Sequence, residues 1–106
     1  MDHLFPGVNA LVELEHKTIV GKYGEGYHSD HEAHAVLQEE IEEAQEQLDE
    51  VKTWKERAWH CTREDMDITE DKLKRIESSA QKLAAEAVQI AAVARRWRGG
   101  AKGENA

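Results

Sequence analysis

The chain is poor in the residues that stabilise small secreted domains and in those that cross membranes. Its 106 residues contain one cysteine, Cys61, so no internal disulfide can form. The longest apolar run has five residues, 90–94, against the roughly 20 apolar residues of a membrane-spanning helix. The N-terminus lacks the basic start and long apolar stretch of a signal peptide. We therefore expect a soluble, cytoplasmic protein with neither a disulfide scaffold nor a metal-thiolate site.

Positive charge is also scarce. The formal net charge is -8, which argues against direct binding of nucleic acid, because neutralising phosphate needs a basic face. The imbalance lies in one half of the chain. Residues 1–53 hold 13 acids and 3 bases, whereas residues 54–106 hold 9 acids and 11 bases. Residues 30–50 have nine acids and no base, but apolar residues interrupt them at helical spacing, so we expect an acidic helix there.

The apolar residues do not alternate with polar ones, so we predict no strands and three helices. The first helix spans about 8–20 and ends at Gly21. The second opens with a capping box, in which the Ser29 hydroxyl accepts a helical amide and Glu32 reaches back. Its apolar pattern continues until residues 62–67 break it.

The third predicted helix has the most regular pattern. It begins near Thr69, a suitable N-cap, and stops at Gly99. Three helices this long cannot bury their apolar stripes alone in 106 residues, so we predict an all-α helical bundle of about three to four helices, completed by oligomerisation. We take 1–98 as a single domain and 99–106 as a flexible C-terminal tail. The heptad seam of the third helix is Leu73, Ile76, Ala80, Leu83, Ala87, Ile90, Ala94 and Trp97.

Acidic residues within the apolar faces of two helices are the first sign of function. On a wheel of 100° per residue, Glu40 falls inside the apolar face of the second helix, and Glu43 lies at the edge of that face. Gln47 continues this polar strip. Glu86 lies at the edge of the seam of the third helix and is the only acid in residues 78–98. A buried carboxylate without a partner is costly, so such groups are neutralised, paired or bound to a cation.

Two interpretations of these carboxylates are open. If antiparallel helices bring Glu40 and Glu43 opposite Glu86, three carboxylates converge without matching cations, which suits a hard metal such as Mg²⁺ or Mn²⁺. Alternatively, they form interhelical ion pairs or reach the edge of the bundle. The basic residues that such ion pairs would use are Lys82, Arg95 and Arg96.

The three histidines of residues 28–34 are a weaker candidate for a metal site, one for zinc, because no fourth ligand is evident.

The acidic strip belongs to an ordered set of motifs. Residues 39–43 read E-E-I-E-E, after K-Y-G and H-S within 22–29 and V-L-Q-E-E at 36–40. Residues 85–94 form an alanine-rich closing segment that begins with A-E-A-V-Q. Together these segments resemble the MazG-like, all-α nucleoside triphosphate pyrophosphohydrolases, whose signature is E-E-x-x-E and whose second motif is E-x-x-D. The likeness is to phage-borne members and covers roughly residues 10–98.

The resemblance implies an enzyme that hydrolyses (deoxy)nucleoside triphosphates to the monophosphate and pyrophosphate with Mg²⁺, or with Mn²⁺. It also implies a dimer or a tetramer. The implied metal ligands are Glu40, Glu43 and Glu86, and Glu39 is the remaining acid of the motif, which would orient the attacking water. Gln89 stands where the family has Asp, and its oxygen can ligate a hard cation without adding charge. The resemblance therefore implies a site that binds metal more weakly.

Basic and aromatic residues complete the expected nucleotide site. The residues that would hold phosphate are Lys17, Lys22, Lys82, Arg95, Arg96 and Arg98. Those that would stack on a base are Tyr23, Tyr27 and Trp97.

The rival interpretation is a non-catalytic acidic helical oligomer of the same fold. It would bind a protein partner or a nucleotide, as a phage inhibitor of a host enzyme does. Such a protein would depend on acids that point outward, which are Glu39, Glu42, Glu46 and Glu50.

Overall fold

The computed structural model of the chain describes residues 2–104, with side chains placed for residues 2–100. This part of the chain contains helices and no strand, which confirms the all-α prediction. None of its helices combines the length and the apolar character needed to cross a bilayer. The elements are a 3₁₀ turn (Asp2–Leu4), α1 (Phe5–Tyr23), α2 (Asp30–Arg63) and α3 (Glu70–Glu104).

Helix α1 extends beyond the predicted span of 8–20 at both ends. Pro6 lies in its first turn, where the missing N–H leaves no helical hydrogen bond unmade. The helix continues through Gly21 and stops at Gly24, whose φ is +80° and whose N–H donates to the Val20 carbonyl at 2.8 Å. The helix ends later than predicted because Gly24, and not Gly21, takes the positive φ that turns the chain.

The capping box at the start of α2 is present. The Glu32 amide donates to Ser29 Oγ at 3.1 Å, as predicted. In return, Glu32 Oε1 accepts the N–H of His28 at 3.3 Å, so the carboxylate reaches one residue beyond the N-cap. The first contact fixes the Ser29 side chain, and the second fixes the Glu32 side chain, at the start of the helix.

The predicted break in residues 62–67 is also present, and it is a Schellman motif. Asp65 adopts a left-handed φ of +52°, and its N–H donates to the Thr62 carbonyl at 3.2 Å. The N–H of Met66 donates to the Cys61 carbonyl at 2.8 Å. These are the two hydrogen bonds that close a helix C-terminus in this motif, whose left-handed position usually holds glycine.

Helix α3 begins as predicted and ends later than predicted. The Lys72 amide donates to Thr69 Oγ1 at 3.4 Å, so Thr69 is the N-cap. The helix then runs past Gly99 to Glu104. Of the predicted tail, 99–106, the described part is therefore helical, and residues 105–106 lie outside the described residues.

A close backbone contact explains why glycine does not stop this helix. A Cβ atom on Gly26 would lie 2.8 Å from Gly100 Cα, and one on Gly100 would collide with Gly26 Cα. The Gly26 N–H also donates to the Arg96 carbonyl at 3.2 Å. Glycine in a helix costs roughly 0.5–1 kcal/mol relative to alanine, and here it permits the loop after α1 to contact α3 through backbone atoms.

The inward face of α3 is rotated from the predicted seam by about one residue. Four residues of the predicted seam, at 76, 83, 90 and 97, are half-buried as expected. The other four, at 73, 80, 87 and 94, are exposed. The inward face of the helix contains Ser79, Glu86 and Val93 in their place. Three of the four exposed positions are alanines, which bury little apolar area, whereas Val93 buries a branched side chain. The rotation moves Glu86 from the edge of the seam to the inside.

Contacts along the chain fall into two units. The first contains the chain up to Ile41 and from Ala87 onward, and the second is Glu42–Glu86. The interpretation of residues 1–98 as one domain stays a prediction. The buried side chains of the first unit are Val12, Ala33, Ala92 and Val93, and those of the second are Cys61 and Ser79.

The tryptophans link the helices within each unit. In the first unit, Trp97 Nε1 donates to Asp30 Oδ1 at 2.9 Å, and the His34 ring meets the Trp97 ring edge-on, with centroids 4.6 Å apart. In the second unit, the Trp54 ring lies 4.3 Å from the guanidinium of Arg57 and 4.6 Å from that of Arg75. Trp97 thus joins α3 to the start of α2, and Trp54 joins α2 to the start of α3.

Candidate metal centre and nearby cavity

Three carboxylates that the sequence singled out lie close together. Glu40, Glu43 and Glu86 each offer one oxygen, and these atoms lie within 4.8 Å of one another. Glu40 and Glu43 are one turn apart on α2, so they lie on the same side of that helix. Glu86 comes from α3 and belongs to the same unit as Glu43. All three side chains are half-buried.

One oxygen of this cluster lacks compensation from the protein. Glu86 Oε2 is buried and has no hydrogen-bond partner among the described residues. Leaving a buried acceptor unsatisfied costs about 1–3 kcal/mol, and more for a charged group. Two further carboxylates nearby add repulsion. A divalent cation that binds these oxygens would remove both costs.

Two of the three basic residues predicted for the ion-pair alternative form described hydrogen bonds elsewhere. Arg95 Nη2 donates to Asn9 Oδ1 at 3.4 Å. Arg96 Nε donates to the Gly24 carbonyl at 3.0 Å. Lys82 is exposed. The described hydrogen bonds of both arginines therefore go to groups outside the carboxylate cluster.

The acids of α2 divide as the helical wheel predicts. Glu40, Glu43 and Gln47 are half-buried and form the polar strip. Glu39, the predicted water-orienting acid, is exposed and is not part of the three-carboxylate cluster, so its role stays a prediction. The exposed acids of this helix include Glu39, Glu42, Glu46 and Glu50.

A cavity of about 670 Å³ in the first unit has Glu40 in its wall. Gln89, the residue in the place of the family's Asp, also lines it and is half-buried. Glu40 thus belongs both to the wall of the cavity and to the carboxylate cluster. Its remaining walls are Ile19, Tyr23, Glu25, Gly26, Tyr27, His28, Glu32, Val36, Val93 and Arg96.

The predicted phosphate-binding residues are dispersed. Of the six candidates, Arg96 lines this cavity. Arg95 lines two other cavities, one with Phe5 and Val8 and one with Glu13. The side chains that are exposed are Lys17, Lys22, Lys82 and Arg98. Substrate binding by Lys22, Lys82 and Arg95 stays a prediction.

Arg96 connects the loop after α1 to the cavity. Its guanidinium carbon lies 4.0 Å from the centre of the Tyr27 ring and 5.6 Å from that of Tyr23. Its Nη2 also donates to the Tyr23 carbonyl at 3.5 Å. The sequence identifies Arg96 and both tyrosines as candidates, but no local signal reveals that they contact one another.

The remaining candidates from the sequence have other surroundings. Trp97 bonds to Asp30 and packs on His34, and the cavity does not include it. His28 lines the cavity and His31 is exposed. The three-residue metal-capable group found among the described residues contains no histidine, so the zinc alternative gains no support.

A separate cavity of about 470 Å³ in the second unit lies beside buried Cys61. Arg63 and Lys72 line it together with Glu56. The hydrogen bond and the positive charge of Lys55 hold the pKa of Glu56 below its usual value. Basic side chains at the end of α2 complement the helix dipole, and we assign no chemistry to this cavity.

A comparison of the chain with protein-family models, with curated protein sequences and with solved structures finds no match. The protein is therefore classified by its fold and its site alone. It is an all-α protein with a cluster of three carboxylates, one of which lines a cavity. Membership of the MazG-like family stays a prediction.

Proposed function

We propose that the protein is a Mg²⁺-dependent nucleotide pyrophosphohydrolase that cleaves (d)NTP to (d)NMP and pyrophosphate in a cytoplasmic nucleotide pool. The observation that carries the proposal is the cluster of Glu40, Glu43 and Glu86, in which Glu86 Oε2 is buried without a partner among the described residues. Mg²⁺ is commonly held by one or two protein carboxylates together with water and substrate phosphates. The donor set fits that requirement, and Mn²⁺ would fit it as well.

The roles of the residues follow from their positions. Glu40 and Glu43 would hold the cation from α2, and Glu86 would hold it from α3. When bound, Mg²⁺ neutralises charge on the phosphates and lowers the pKa of a water. Glu39 is exposed beside Glu40, and the family resemblance assigns it to orienting the attacking water. Gln89 supplies a neutral oxygen, so we expect the metal to bind more weakly than in a site with Asp.

Release of pyrophosphate from a panel of NTPs and dNTPs tests the proposal. The assay compares wild type with Glu40→Gln in Mg²⁺ and in Mn²⁺. We expect the exchange to lower turnover roughly a hundredfold or more, because it removes a charged metal ligand. Glu46→Gln is the matched control, since it removes one charge from the exposed face of the same helix. Absence of release by wild type at high protein concentration with both metals would overturn the proposal.

The exposed acids of α2 support a second candidate function, the non-catalytic acidic binding protein. Glu39, Glu42 and Glu46 are all exposed on the same helix. A partner that binds this acidic surface would have lower affinity for the Glu46→Gln variant and unchanged affinity for the Glu40→Gln variant. The two variants therefore give opposite results for the two functions.

We also propose that the protein works as a homo-oligomer. Helix α1 and the turn before it expose a row of large apolar side chains, and contiguous apolar surface of this kind marks interaction sites. We expect light scattering to give a dimer or a tetramer, and Leu11→Glu to lower that mass. Because Leu11 is 53% exposed, the exchange should not unfold the chain. A wild-type monomer would contradict this proposal. The row consists of Leu4, Phe5, Val8, Leu11 and Leu14.

A further inference from the structure

The cavity in the first unit has the size and walls of a site for a small organic ligand. Its volume of about 670 Å³ falls within the range of roughly 300–1,000 Å³ that is usual for such sites. Ile19, Val36 and Val93 supply apolar surface. Tyr23 also lines it, and its side chain is 69% exposed, so one face of the ring is accessible for stacking.

The charges in the cavity decide which part of a nucleotide fits. Three carboxylates line it, those of Glu25, Glu32 and Glu40, against one guanidinium, that of Arg96. Phosphate groups would be repelled, except where a cation on Glu40 holds them. The neutral, aromatic base is the part of the ligand that suits the rest of the cavity, between apolar side chains and the planar groups of Tyr23 and Arg96.

Glu32 is the carboxylate best placed to select among bases. One hydrogen bond of the capping box holds this carboxylate, because Glu32 Oε1 accepts the His28 N–H at 3.3 Å. A carboxylate has about four sites that accept a hydrogen bond, and the described bond from His28 uses one of those on Glu32. Glu25 bonds to His16 at 3.2 Å, and Glu40 belongs to the metal cluster.

From this arrangement we infer that the cavity selects nucleotides whose base carries an exocyclic amino group, and that Glu32 accepts a hydrogen bond from that group. The inference rests on the proposed function and names its substrate class. Cytosine presents an amino group at C4 and adenine at C6. Uracil and thymine at C4, and hypoxanthine at C6, present a carbonyl oxygen instead, which a fixed carboxylate repels. Guanine also has this carbonyl oxygen at C6 and carries its amino group on C2. A site that binds a donor rejects analogues lacking it, because its own acceptor is then left unpaired.

Two matched substrate pairs test the selection: dCTP against dUTP, and ATP against ITP. Each pair differs by an amino group in one member and a carbonyl in the other. We expect kcat/KM with Mg²⁺ to favour the amino member roughly tenfold or more, as a hydrogen bond to a charged group allows. In Glu32→Gln the ratio should fall to near one, because the amide can donate as well as accept. Gln also suits this capping position, so the helix start is preserved.

Glu77→Gln is the matched control, since Glu77 is an exposed acid of α3 outside both the cavity and the metal cluster. It should keep the wild-type ratio. Turnover without preference, or with preference for the carbonyl members, would overturn the inference and leave the proposed function standing. An unchanged preference in Glu32→Gln would likewise overturn the role of Glu32 in the selection.

Binding of α,β-imido analogues of dCTP and dUTP, measured by calorimetry with Mg²⁺, separates failure of the inference from failure of the enzyme. If wild type releases no pyrophosphate but binds the dCTP analogue roughly tenfold more tightly, and Glu32→Gln equalises the two, the selection stands and hydrolysis is overturned. If neither analogue binds, the base-selecting cavity is overturned. Circular dichroism of each variant checks that the helices are intact.

Discussion

The contacts inside the first unit differ in kind from the contacts inside the second. In the first, backbone atoms come into contact at Gly26 and Gly100, and the side chain of Arg96 bonds to backbone carbonyls. In the second, long side chains form the contacts, with Trp54 lying against two guanidiniums and donating to Glu50 at 3.3 Å. Backbone contact leaves the neighbouring side chains available for other contacts, and the cavity that Glu40 lines lies in this first unit. The first unit is therefore packed through glycines, and the second through an aromatic ring and basic side chains.

The largest expected effect is at Glu86, one of the three clustered carboxylates. We expect Glu86→Gln to lower turnover roughly a hundredfold or more, because it removes a metal ligand. Without metal, the same variant should be more stable by about 1 kcal/mol, since it removes charge from an oxygen without a partner among the described residues. Thermal unfolding with and without Mg²⁺ measures this, and the metal should raise the Tm of wild type more than that of the variant. Equal shifts in both proteins would contradict the assignment of Glu86 as a ligand.

A bulky residue at the glycine contact should weaken the first unit. Gly100→Val places a Cβ against Gly26 Cα, and we expect the free energy of unfolding to fall by about 1–3 kcal/mol. Urea unfolding measures the change. Gly21→Ala is the control, because a Cβ there has no neighbour within 4 Å and the residue is helical. That exchange should be neutral or should stabilise by about 0.4–1 kcal/mol. A similar loss in both variants would show that the contact is not the cause.

The smallest expected effect lies at the turn of the second unit. Asp65 has a φ of +52°, which costs roughly 1–2 kcal/mol for a residue with a side chain. Asp65→Gly should therefore raise the free energy of unfolding by about 0.5–1 kcal/mol, the gain being partly offset by the larger entropy of the unfolded glycine chain. Asp65→Ala, measured in the same urea series, should give no such gain, and a gain equal to that of glycine would exclude backbone strain as the reason.

The local features of the fold could be predicted from the sequence. The caps at Ser29 and Thr69 and the break in residues 62–67 depend on hydrogen bonds between near neighbours, so short motifs identify them. The half-buried positions of Glu40 and Glu43 follow from helical periodicity alone.

The features that were missed depend on contacts between distant residues. The rotation of α3 depends on how its faces pack against other helices, which the heptad pattern of α3 alone does not specify. The continuation of α3 past Gly99 accompanies the contact between Gly100 and Gly26, which are far apart in sequence. The same holds for Arg96, whose partners Tyr23 and Gly24 belong to the opposite end of the chain.

The contact between Gly26 and Gly100 has an evolutionary consequence. Each glycine excludes a side chain at the other position, so neither can drift alone through neutral substitutions. A larger residue at one site is tolerated only if the loop also changes length or path, and two such changes rarely arise together. Homologues that diverge widely on the exposed faces of their helices should therefore retain both glycines, or should replace both together with a loop of different length.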